Sequence, residues 1–343
     1  MSTASFATRL VAWQKQHGRH DLPWQHTRDP YRVWLSEIML QQTQVVTVKD
    51  YFTRFMARFP TVADLAAAHE DEVLALWSGL GYYSRARNLH QAAQQVVSHH
   101  AGVFPRTAQT LQSLPGIGPS TAAAIASICF EERVAILDGN VKRVLTRHMG
   151  YAQDLALKRH ETALWELAHA RLPKRNADMP TYTQAVMDLG ASVCTPKQPQ
   201  CEQCPVRSDC VAHAQNAVLD YPVKTRRLKR QTQSWWLLLA RTQQGAVWLQ
   251  KRPSTGVWAK LYALPMFDSF EALEQSLPKP MQAQLVQAEV VKHVLTHRDL
   301  FLHPTLLTLP QPVSLGEGQW FEASNWPQLG LPAPIRKLLQ SQG

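Results

Sequence analysis

The segment from Leu114 to Asn140 places the strongest constraint on what this chain can fold into. It opens with a Pro-Gly-x-Gly turn, continues through a run of small residues and ends near a lone carboxylate, Asp138. Gly116 and Gly118 can take positive φ and allow a close approach of the backbone, and Pro119 suits the first residue of a helix. Because an apolar helical pattern also precedes the turn, the segment predicts a helix, a glycine hairpin and a second helix.

The glycine hairpin has two interpretations. A helix that begins at a glycine turn presents unpaired backbone N–H groups, with the positive end of the helix dipole behind them, and therefore favours an anion. Such a turn would hold one phosphate of a nucleic-acid backbone without reading a base. An ordinary helix–turn–helix corner in an all-α core is equally consistent with the hairpin alone.

The charge of the chain favours a nucleic-acid partner. The 343 residues carry a net charge of +10, of which residues 1–232 contribute +8 and residues 233–343 only +2. This excess of positive charge suits a polyanionic partner. The length of the chain predicts two or three domains. There is no export signal and no run of ~18–20 apolar residues. We therefore expect a cytoplasmic protein of bacterial type, associated with the nucleoid and not with a membrane.

Four cysteines form a compact set, Cys194, Cys201, Cys204 and Cys210, with the spacing C-x6-C-x2-C-x5-C. In a compartment that keeps thiols reduced, such a set predicts metal binding before disulfides. Zinc ribbons prefer two C-x2-C pairs and only one is present, so the spacing favours a [4Fe-4S] cluster over zinc. The fifth cysteine, Cys129, lies in the run of small residues and is predicted to belong to the core.

Glu37 is the residue with the least evident structural role. It lies in a helix predicted to begin after Asp29-Pro30, and most of its neighbours at helical spacing are apolar, such as Trp34. Loss of hydration would raise the pKa of this carboxyl and let it deliver a proton at neutral pH. The alternative is a glutamate at the rim of the apolar face, paired with Arg32 or Arg54.

Other polar residues stand at predicted helix breaks. Asp138 or Asn140 could serve simply as the N-cap of the helix that follows. The run Gln41–Thr43 either lines a base-reading site or separates two helices. Tyr82 follows a glycine turn and precedes a basic helix with Arg85, an arrangement that suits base stacking and phosphate contact or fills a helix junction.

The hydrophobic pattern changes after a basic linker at 226–232. Beyond the linker, alternation predicts two strands on either side of a turn at 243–245, and a strand, a turn and a strand over 290–309. Two helices are predicted, at 268–277 and near 333–341. Residues 233–343 are therefore expected to form a separate α+β domain.

Several well-separated motifs carry a resemblance to a known family. They are LPWQ at 22–25, SEIMLQQTQV at 36–45, GLGYYSRARNLH at 79–90, LPGIGPST at 114–121, LDGNVKRV at 137–144 and the cysteine loop. Together they resemble the motifs of the helix-hairpin-helix DNA glycosylase superfamily and, more closely, of the adenine DNA glycosylase (MutY) family. The resemblance covers essentially residues 6–225 and, weakly, the C-terminal domain.

The fold that this resemblance implies is a mainly α catalytic region with an iron–sulfur cluster loop, followed by an α+β Nudix-like domain. The domains expected are a helical and iron–sulfur domain from 1–28 with 135–225, a six-helix domain with the hairpin at 29–134, and a Nudix-like lesion-recognition domain at 233–343.

The activity that the resemblance implies is removal of adenine mispaired with 8-oxoguanine or guanine in double-stranded DNA. The enzyme is expected to act as a monomer. The nucleotide would be flipped into a pocket, and its N-glycosidic bond would be hydrolysed through an oxocarbenium-like state. Glu37 would protonate the leaving adenine. Asp138 would stay ionised and stabilise the cationic sugar or trap it transiently, with Asn140 in support.

The DNA contacts implied by the resemblance fall on residues of three kinds. Trp24 and Gln184 match residues that line the adenine pocket, and Gln42 matches a residue that wedges into the base stack. The remaining matches lie around the lesion pair or on the phosphate-binding hairpin: Leu40, Thr43, Tyr82, Gly116, Gly118 and Ser120.

Ser120 separates this chain from the related endonuclease III type. That type carries a Schiff-base lysine at this position of the hairpin. Lys142 is near in sequence but off the motif. Without the amine, the resemblance implies a monofunctional glycosylase with no efficient β-lyase activity.

The C-terminal domain resembles a Nudix-like domain through GVWAKLYALP at 256–265 but has no R-E-x-x-E-E helix to hold Mg²⁺. It is therefore expected to bind and not to hydrolyse. The segment LTHRD resembles the one that inspects 8-oxoguanine, with Thr296 and His297 as the contacts and Leu295 in place of an aromatic residue. An edge strand with a polar turn is the alternative.

Two other functions are weighed against this one. An endonuclease III-like glycosylase/lyase acting on oxidised pyrimidines is disfavoured by Ser120 and by the additional domain. A non-catalytic iron–sulfur DNA-binding module is disfavoured by Glu37 together with Asp138, because a pure binder needs neither carboxylate.

Overall fold

The computed structural model describes residues 4–225 and 229–341. The basic linker predicted at 226–232 therefore lies partly outside the described residues. Along those two ranges, no helix combines the length and the apolar character needed to cross a bilayer.

The chain divides into two compact units. One comprises the described residues up to Ala66 together with those from Gln91 to 225, and the other comprises Ala67–His90 together with the residues from 229 onward. The finer division proposed from the sequence, at residues 28 and 134, stays a prediction.

The helical part of the chain contains twelve α-helices among the described residues before the linker. They are α1 (Phe6–His17), α2 (Pro30–Leu40), α3 (Val45–Arg58), α4 (Val62–Ala67), α5 (Glu70–Trp77), α6 (Ser84–His100), α7 (Ala108–Leu111), α8 (Pro119–Phe130), α9 (Gly139–Met149), α10 (Lys158–His169), α11 (Met179–Asp188) and α12 (Val211–Ala214). A π-helical turn, Leu189–Val193, continues α11.

Local sequence accounts for several helix starts. Asp29 accepts a hydrogen bond from the N–H of Tyr31 (3.0 Å) and precedes a proline in the first turn of α2, as predicted. Pro119 opens α8 after the glycine hairpin, and the buried residues of α8 are mostly small, as in the run 122–127. Because small side chains allow close helix contact, α8 packs against α2, α7 and α11.

The core of the first unit surrounds α8, α9 and α11. Its buried members include Leu10, Leu137, Val144, Leu164, Tyr182 and Leu189. A row of aromatic residues on α2 and α3, including Trp34, Phe52 and Phe55, is almost fully buried as well. This packing fixes the ends of α2, α9 and α11, which carry the side chains described below.

The second unit is organised around a mixed sheet. Its strands are β1 (Gln231–Thr242), β2 (Val247–Lys251), β3 (Tyr262–Ala263), β4 (Met266–Phe267), β5 (Val286–Gln287), β6 (Val291–Val294), β7 (Arg298–Leu309) and β8 (Gln319–Phe321). The order is β3-β2-β1-β7-β5, with β4 beside β1, β6 beside β7 and β8 beside β2. The helices that follow the linker are α13 (Phe270–Gln275), α14 (Lys279–Gln282) and α15 (Ala333–Ser341).

The predicted strands and turns of this unit match the structure, but one pairing does not follow from the sequence. β1 and β2 flank the turn at Gly245, which has φ 85°, and β6 and β7 form the predicted hairpin. The long strands β1 and β7 pair in parallel, from Gln231 opposite Arg298 to Thr242 opposite Leu309. Alternation alone predicted only hairpins.

The segment 67–90 packs on the sheet of the second unit. The Ser78 hydroxyl donates to the carbonyl of Leu331 (2.7 Å). The Asp71 carboxylate pairs with the Lys251 ammonium (2.7 Å). This segment therefore belongs to the same compact body as the C-terminal strands.

Candidate active site

A cavity of about 540 Å³ lies in the helical unit. Residues from the α1–α2 loop, α2 and α11 line it, and four of those expected at the site are among them: Trp24, Glu37, Leu40 and Gln184. The Trp24 ring packs edge-on against Phe52, with ring centroids 5.4 Å apart, so this wall is held by the core. The volume falls in the range of small-molecule sites.

Glu37 is the acidic group of this cavity. Burial, and after it the charge of Asp138, raise the pKa of its carboxyl to about 7, against the opposing effect of the Arg19 guanidinium. The charged groups that act on Glu37 are therefore Asp138 and Arg19, and not the Arg32 or Arg54 considered from the sequence. A carboxyl with this pKa is partly protonated at neutral pH and can donate a proton.

Asp138 stands at the start of α9, outside the lining of the cavity. Its Oδ1 accepts a hydrogen bond from the N–H of Val141 (2.7 Å), so it is the N-cap of α9. Burial raises the pKa of Asp138, while the backbone N–H groups of Asn140 and Val141 and the cations of α9 oppose this shift. The Asp138 carboxylate therefore both caps α9 and acts electrostatically on Glu37.

Asn140 is held by Arg143, one turn later on α9. The Arg143 guanidinium donates to Oδ1 of Asn140 (2.8 Å), to the carbonyl of Gly190 (2.7 Å) and to the carbonyl of Cys194 (2.8 Å). A Cβ at Gly190 would lie only 2.8 Å from the Cβ of Asn140, so glycine is required for this approach. Asn140 is therefore fixed between the start of α9 and the cysteine loop.

Arg19 and Asp188 are site residues that the sequence reasoning missed. The Asp188 side chain is 1% exposed and forms an ion pair with Arg19 (2.7 Å). The backbone N–H of Arg19 also donates to Asp188 (3.1 Å), and the Gln184 amide N–H donates to its Oδ1 (2.9 Å). The only sequence signal was an Asp four residues after Gln184, on the same face of α11.

The glycine hairpin has the predicted helix–turn–helix form, with one correction. Gly116 takes positive φ, 75°, but Gly118 does not; with φ −82° it is the N-cap of α8. A Cβ on Gly118 would meet no atom within 4 Å, so glycine there leaves open space in front of the helix. That space, with the N–H groups of α8 behind it, suits an anion.

Ser120 and the α2–α3 loop lie next to these elements. The Ser120 hydroxyl accepts a hydrogen bond from the N–H of Leu137 (3.1 Å) and so holds the segment before Asp138. Gln42 lies in the loop between α2 and α3 with φ 58°, and the Thr43 hydroxyl donates to the carbonyl of Gln41 (3.4 Å). The polar run is thus a break between two helices, with a left-handed, strained residue at its centre.

The four predicted metal ligands, Cys194, Cys201, Cys204 and Cys210, line one small cavity. Burial first, and then the charges of the neighbouring thiolates, raise the pKa of Cys204 to about 12. A bound cation would offset this cost of ionising the thiol. In the described ranges, no three His, Cys, Asp or Glu side chains are arranged for a single metal ion. Four cysteines around one space, with the spacing C-x6-C-x2-C-x5-C, fit a multi-iron cluster better than a zinc ribbon with its two C-x2-C pairs.

A second cavity, of about 590 Å³, lies in the second unit and contains the remaining predicted contacts, Tyr82, Thr296 and His297. The Tyr82 hydroxyl is hydrogen-bonded to that of Thr296, and Tyr82 has φ 48°. The N–H of Leu295 donates to the carbonyl of Arg298 (2.8 Å) and closes the turn between β6 and β7. The polar turn is therefore part of a cavity wall.

Three parts of the chain match known families. Residues 35–169 match the HhH-GPD superfamily of base excision DNA repair proteins, residues 194–210 match the iron–sulfur binding domain of endonuclease III, and residues 236–341 match the NUDIX domain family. The matches confirm the predicted fold class and the iron–sulfur cofactor. The fold and the site thus define a helix-hairpin-helix base excision repair protein with an iron–sulfur loop and a Nudix-like domain.

Curated relatives share most of this architecture. Adenine DNA glycosylase from Buchnera aphidicola subsp. Acyrthosiphon pisum is 35% identical over 348 residues, which cover 99% of this chain and 98% of that protein. Adenine DNA glycosylase from Rattus norvegicus is 49% identical over 219 residues, which cover 61% of this chain and 42% of that protein. This chain belongs to the adenine DNA glycosylase family and is an enzyme of base excision repair.

Solved structures share the fold of the helical part. A thermostable thymine-DNA glycosylase superposes with a TM-score of 0.55 at 29% identity, over 61% of this chain and 95% of that chain. A non-covalent endonuclease III–DNA complex superposes with a TM-score of 0.50 at 21% identity, over 61% of this chain and 94% of that chain, which shows the shared fold alone.

Proposed function

We propose that this enzyme removes adenine mispaired with 8-oxoguanine or guanine in double-stranded DNA and leaves an abasic site. The observation that carries the proposal is Glu37, a carboxyl on the wall of a cavity with room for a base, whose pKa is raised to about 7. The names of the relatives and the excess of positive charge support DNA as the partner.

Adenine must leave the duplex before the reaction, because its glycosidic bond is inaccessible within the base stack. The glycine hairpin and the N-terminus of α8 would hold a backbone phosphate. Gln42, with its strained left-handed backbone on the α2–α3 loop, would enter the space left by the flipped nucleotide. Trp24 and Leu40 would then contact the base inside the cavity.

Glu37 would act as the general acid. Its carboxyl donates a proton to a ring nitrogen of adenine as the C1′–N9 bond breaks, and the bonding electrons leave with the base. The sugar becomes an oxocarbenium-like cation. A water molecule then adds to C1′, and its surplus proton is taken up by the Glu37 carboxylate, which restores the acid.

Asp138 would stabilise the cationic sugar. A carboxylate held at a helix N-terminus by Val141 cannot turn away when positive charge develops nearby. Asn140, fixed by Arg143, would keep the first turn of α9 beside the Asp138 carboxylate in one conformation. The cluster, when bound, holds the loop whose Cys194 carbonyl accepts from the same Arg143.

Strand cleavage is not expected. Ser120 occupies the position at which a lyase needs an amine, and its hydroxyl is engaged with Leu137. The Lys142 ammonium, the nearest lysine in sequence, is paired with the Glu161 carboxylate.

Recognition of 8-oxoguanine would fall to the second unit. Thr296 and His297 lie on one wall of its cavity with Tyr82, which suits contact with an oxidised purine. The domain is proposed to bind without hydrolysing nucleotides, because the glutamate-rich Nudix helix is missing from the sequence. The monomeric state and the cytoplasmic location remain predictions.

Base release from labelled duplexes tests the function. Adenine released opposite 8-oxoguanine and guanine, with strand cleavage only after alkali, supports the proposal. Prompt nicking at oxidised pyrimidines would indicate an endonuclease III-like lyase instead. Tight binding without release of any base would indicate a non-catalytic DNA-binding module.

A further inference from the structure

Gln184 and Asp188 form a locked pair on the wall of the active-site cavity. Gln184 lines the cavity, and its amide N–H donates to Oδ1 of Asp188 one turn later on α11 (2.9 Å). Asp188 is buried and is itself held by two bonds from Arg19. The carboxylate therefore has little freedom to move.

The lock determines which end of the Gln184 amide faces the cavity. An ionised carboxylate only accepts hydrogen bonds, so the NH₂ end of the amide must face Asp188. The carbonyl oxygen then faces away from Asp188. Among the described residues no hydrogen bond to it is found and it is not one of the buried unpaired atoms, so it is accessible from the cavity that Gln184 lines. The Gln184 amide therefore presents its carbonyl oxygen, a hydrogen-bond acceptor, to the cavity, and it cannot rotate to exchange its two ends.

We propose that Asp188 is a positioning residue that fixes the Gln184 amide so that the pocket accepts a 6-amino purine and rejects a 6-oxo purine. Adenine carries a hydrogen-bond donor at its 6-position, and guanine carries an acceptor there. An unlocked amide could rotate and accommodate either group. The locked carbonyl binds the amino group and repels the oxo group.

This inference rests on the proposed function, and its test separates the two. Single-turnover release is measured from duplexes with 8-oxoguanine opposite either adenine or purine, the analogue without the 6-amino group. For Gln184→Met we expect adenine release to slow by about 10–100-fold, the loss of one good base contact, while purine release changes less than about threefold. If the wild-type enzyme releases neither base, the proposed function fails and the inference is not at issue.

Asp188→Asn tests the lock itself. An asparagine can donate to the Gln184 carbonyl and so allow the amide to reverse, and we expect the same selective loss with adenine. Combining both substitutions should add little to Gln184→Met alone, since Asp188 acts through Gln184. Asp178→Asn, at the other end of α11, should leave both rates within about twofold.

Two outcomes would overturn the inference. One is an equal slowing with adenine and with purine for Gln184→Met, which would mean that the glutamine only maintains the shape of the pocket. The other is unchanged adenine selectivity in a folded Asp188→Asn enzyme, which would mean that the Gln184 amide does not need Asp188 to fix it. Should Asp188→Asn fail to fold because Arg19 loses its partner, Asp188→Glu, which keeps the charge that pairs with Arg19 but displaces the carboxylate, takes its place with the same expected and overturning results.

Discussion

The charge of Asp138, at the start of α9, acts on the carboxyl of Glu37 on α2 and helps to raise its pKa to about 7. Burial of Glu37 is the larger cause. The two carboxyl groups thereby take different roles. The negative charge of Asp138 makes it easier for Glu37 to keep its proton, so Asp138 is the ionised group and Glu37 the acid. This relationship connects two helices that are far apart in the sequence.

The pH dependence of base release should show directly that Glu37 acts in its protonated form and Asp138 in its ionised form. Glu37 acts only when protonated, so the single-turnover rate should be lost as the pH rises above about 7, by about tenfold per unit. On the acid side, the rate should fall as Asp138 takes up a proton, at a pH above the usual 3.8 because burial raises its pKa. Rates over about pH 4–9 with an A:8-oxoguanine duplex would check both limbs. A rate that stayed constant up to pH 9 would contradict the assignment of the acid.

Asp138→Asn separates the two roles of Asp138. Asparagine is also a good N-cap, so the melting temperature should change little. Loss of the negative charge should slow release by about 100-fold or more, because the cationic sugar loses its counter-charge. It should also lower the pKa of Glu37 and move the alkaline limb to lower pH. An unchanged limb would show that the two carboxyls do not interact.

Arg19→Met should move the alkaline limb in the opposite direction. The Arg19 guanidinium lowers the pKa of Glu37, so its removal raises that pKa and extends the active range to higher pH. The same substitution leaves the buried Asp188 without its ion-pair partner and should lower the melting temperature. Arg175→Met, at an exposed arginine paired with Asp178, is the matched control and should shift neither quantity.

Loss of one cysteine ligand should impair the active site as well as the cluster, because the two are connected through Arg143. Cys204→Ser should remove the bound iron and the visible absorbance, and lower the melting temperature by about 5 °C or more. Base release should slow as well, because Arg143 ties the carbonyl of Cys194 to Asn140. Cys129→Ala should keep the iron, since Cys129 is buried in α8 and away from the loop. Zinc in the purified protein, in place of iron, would refute the cluster.

Features set by neighbouring residues were predictable from the sequence. The hairpin, the proline start of α8, the cap at Asp29 and the turn at Gly245 all depend on a few consecutive residues. The spacing of four cysteines likewise predicted a shared site, because four cysteines clustered in one short segment are typical of a metal site. Apolar neighbours of Glu37 at helical spacing gave the direction of its pKa shift.

Features that depend on distant partners were not predictable. The ion pair between Arg19 and Asp188 joins α11 to the loop before α2, and neither residue lies in an unusual local pattern. The parallel pairing of β1 with β7 has no local signature, since alternation is the same for both directions of a partner strand. The grouping of residues 67–90 with the C-terminal sheet also depends on individual long-range bonds, such as that from Ser78 to Leu331.

The most direct test of the mechanism is single-turnover adenine release by Glu37→Gln, measured together with its affinity for the same A:8-oxoguanine duplex. Glutamine keeps the size and polarity of the side chain but has no acidic proton to give. We predict binding within about threefold of wild type and release slower by about 1,000-fold or more. Release at a rate near that of the wild-type enzyme would contradict the account.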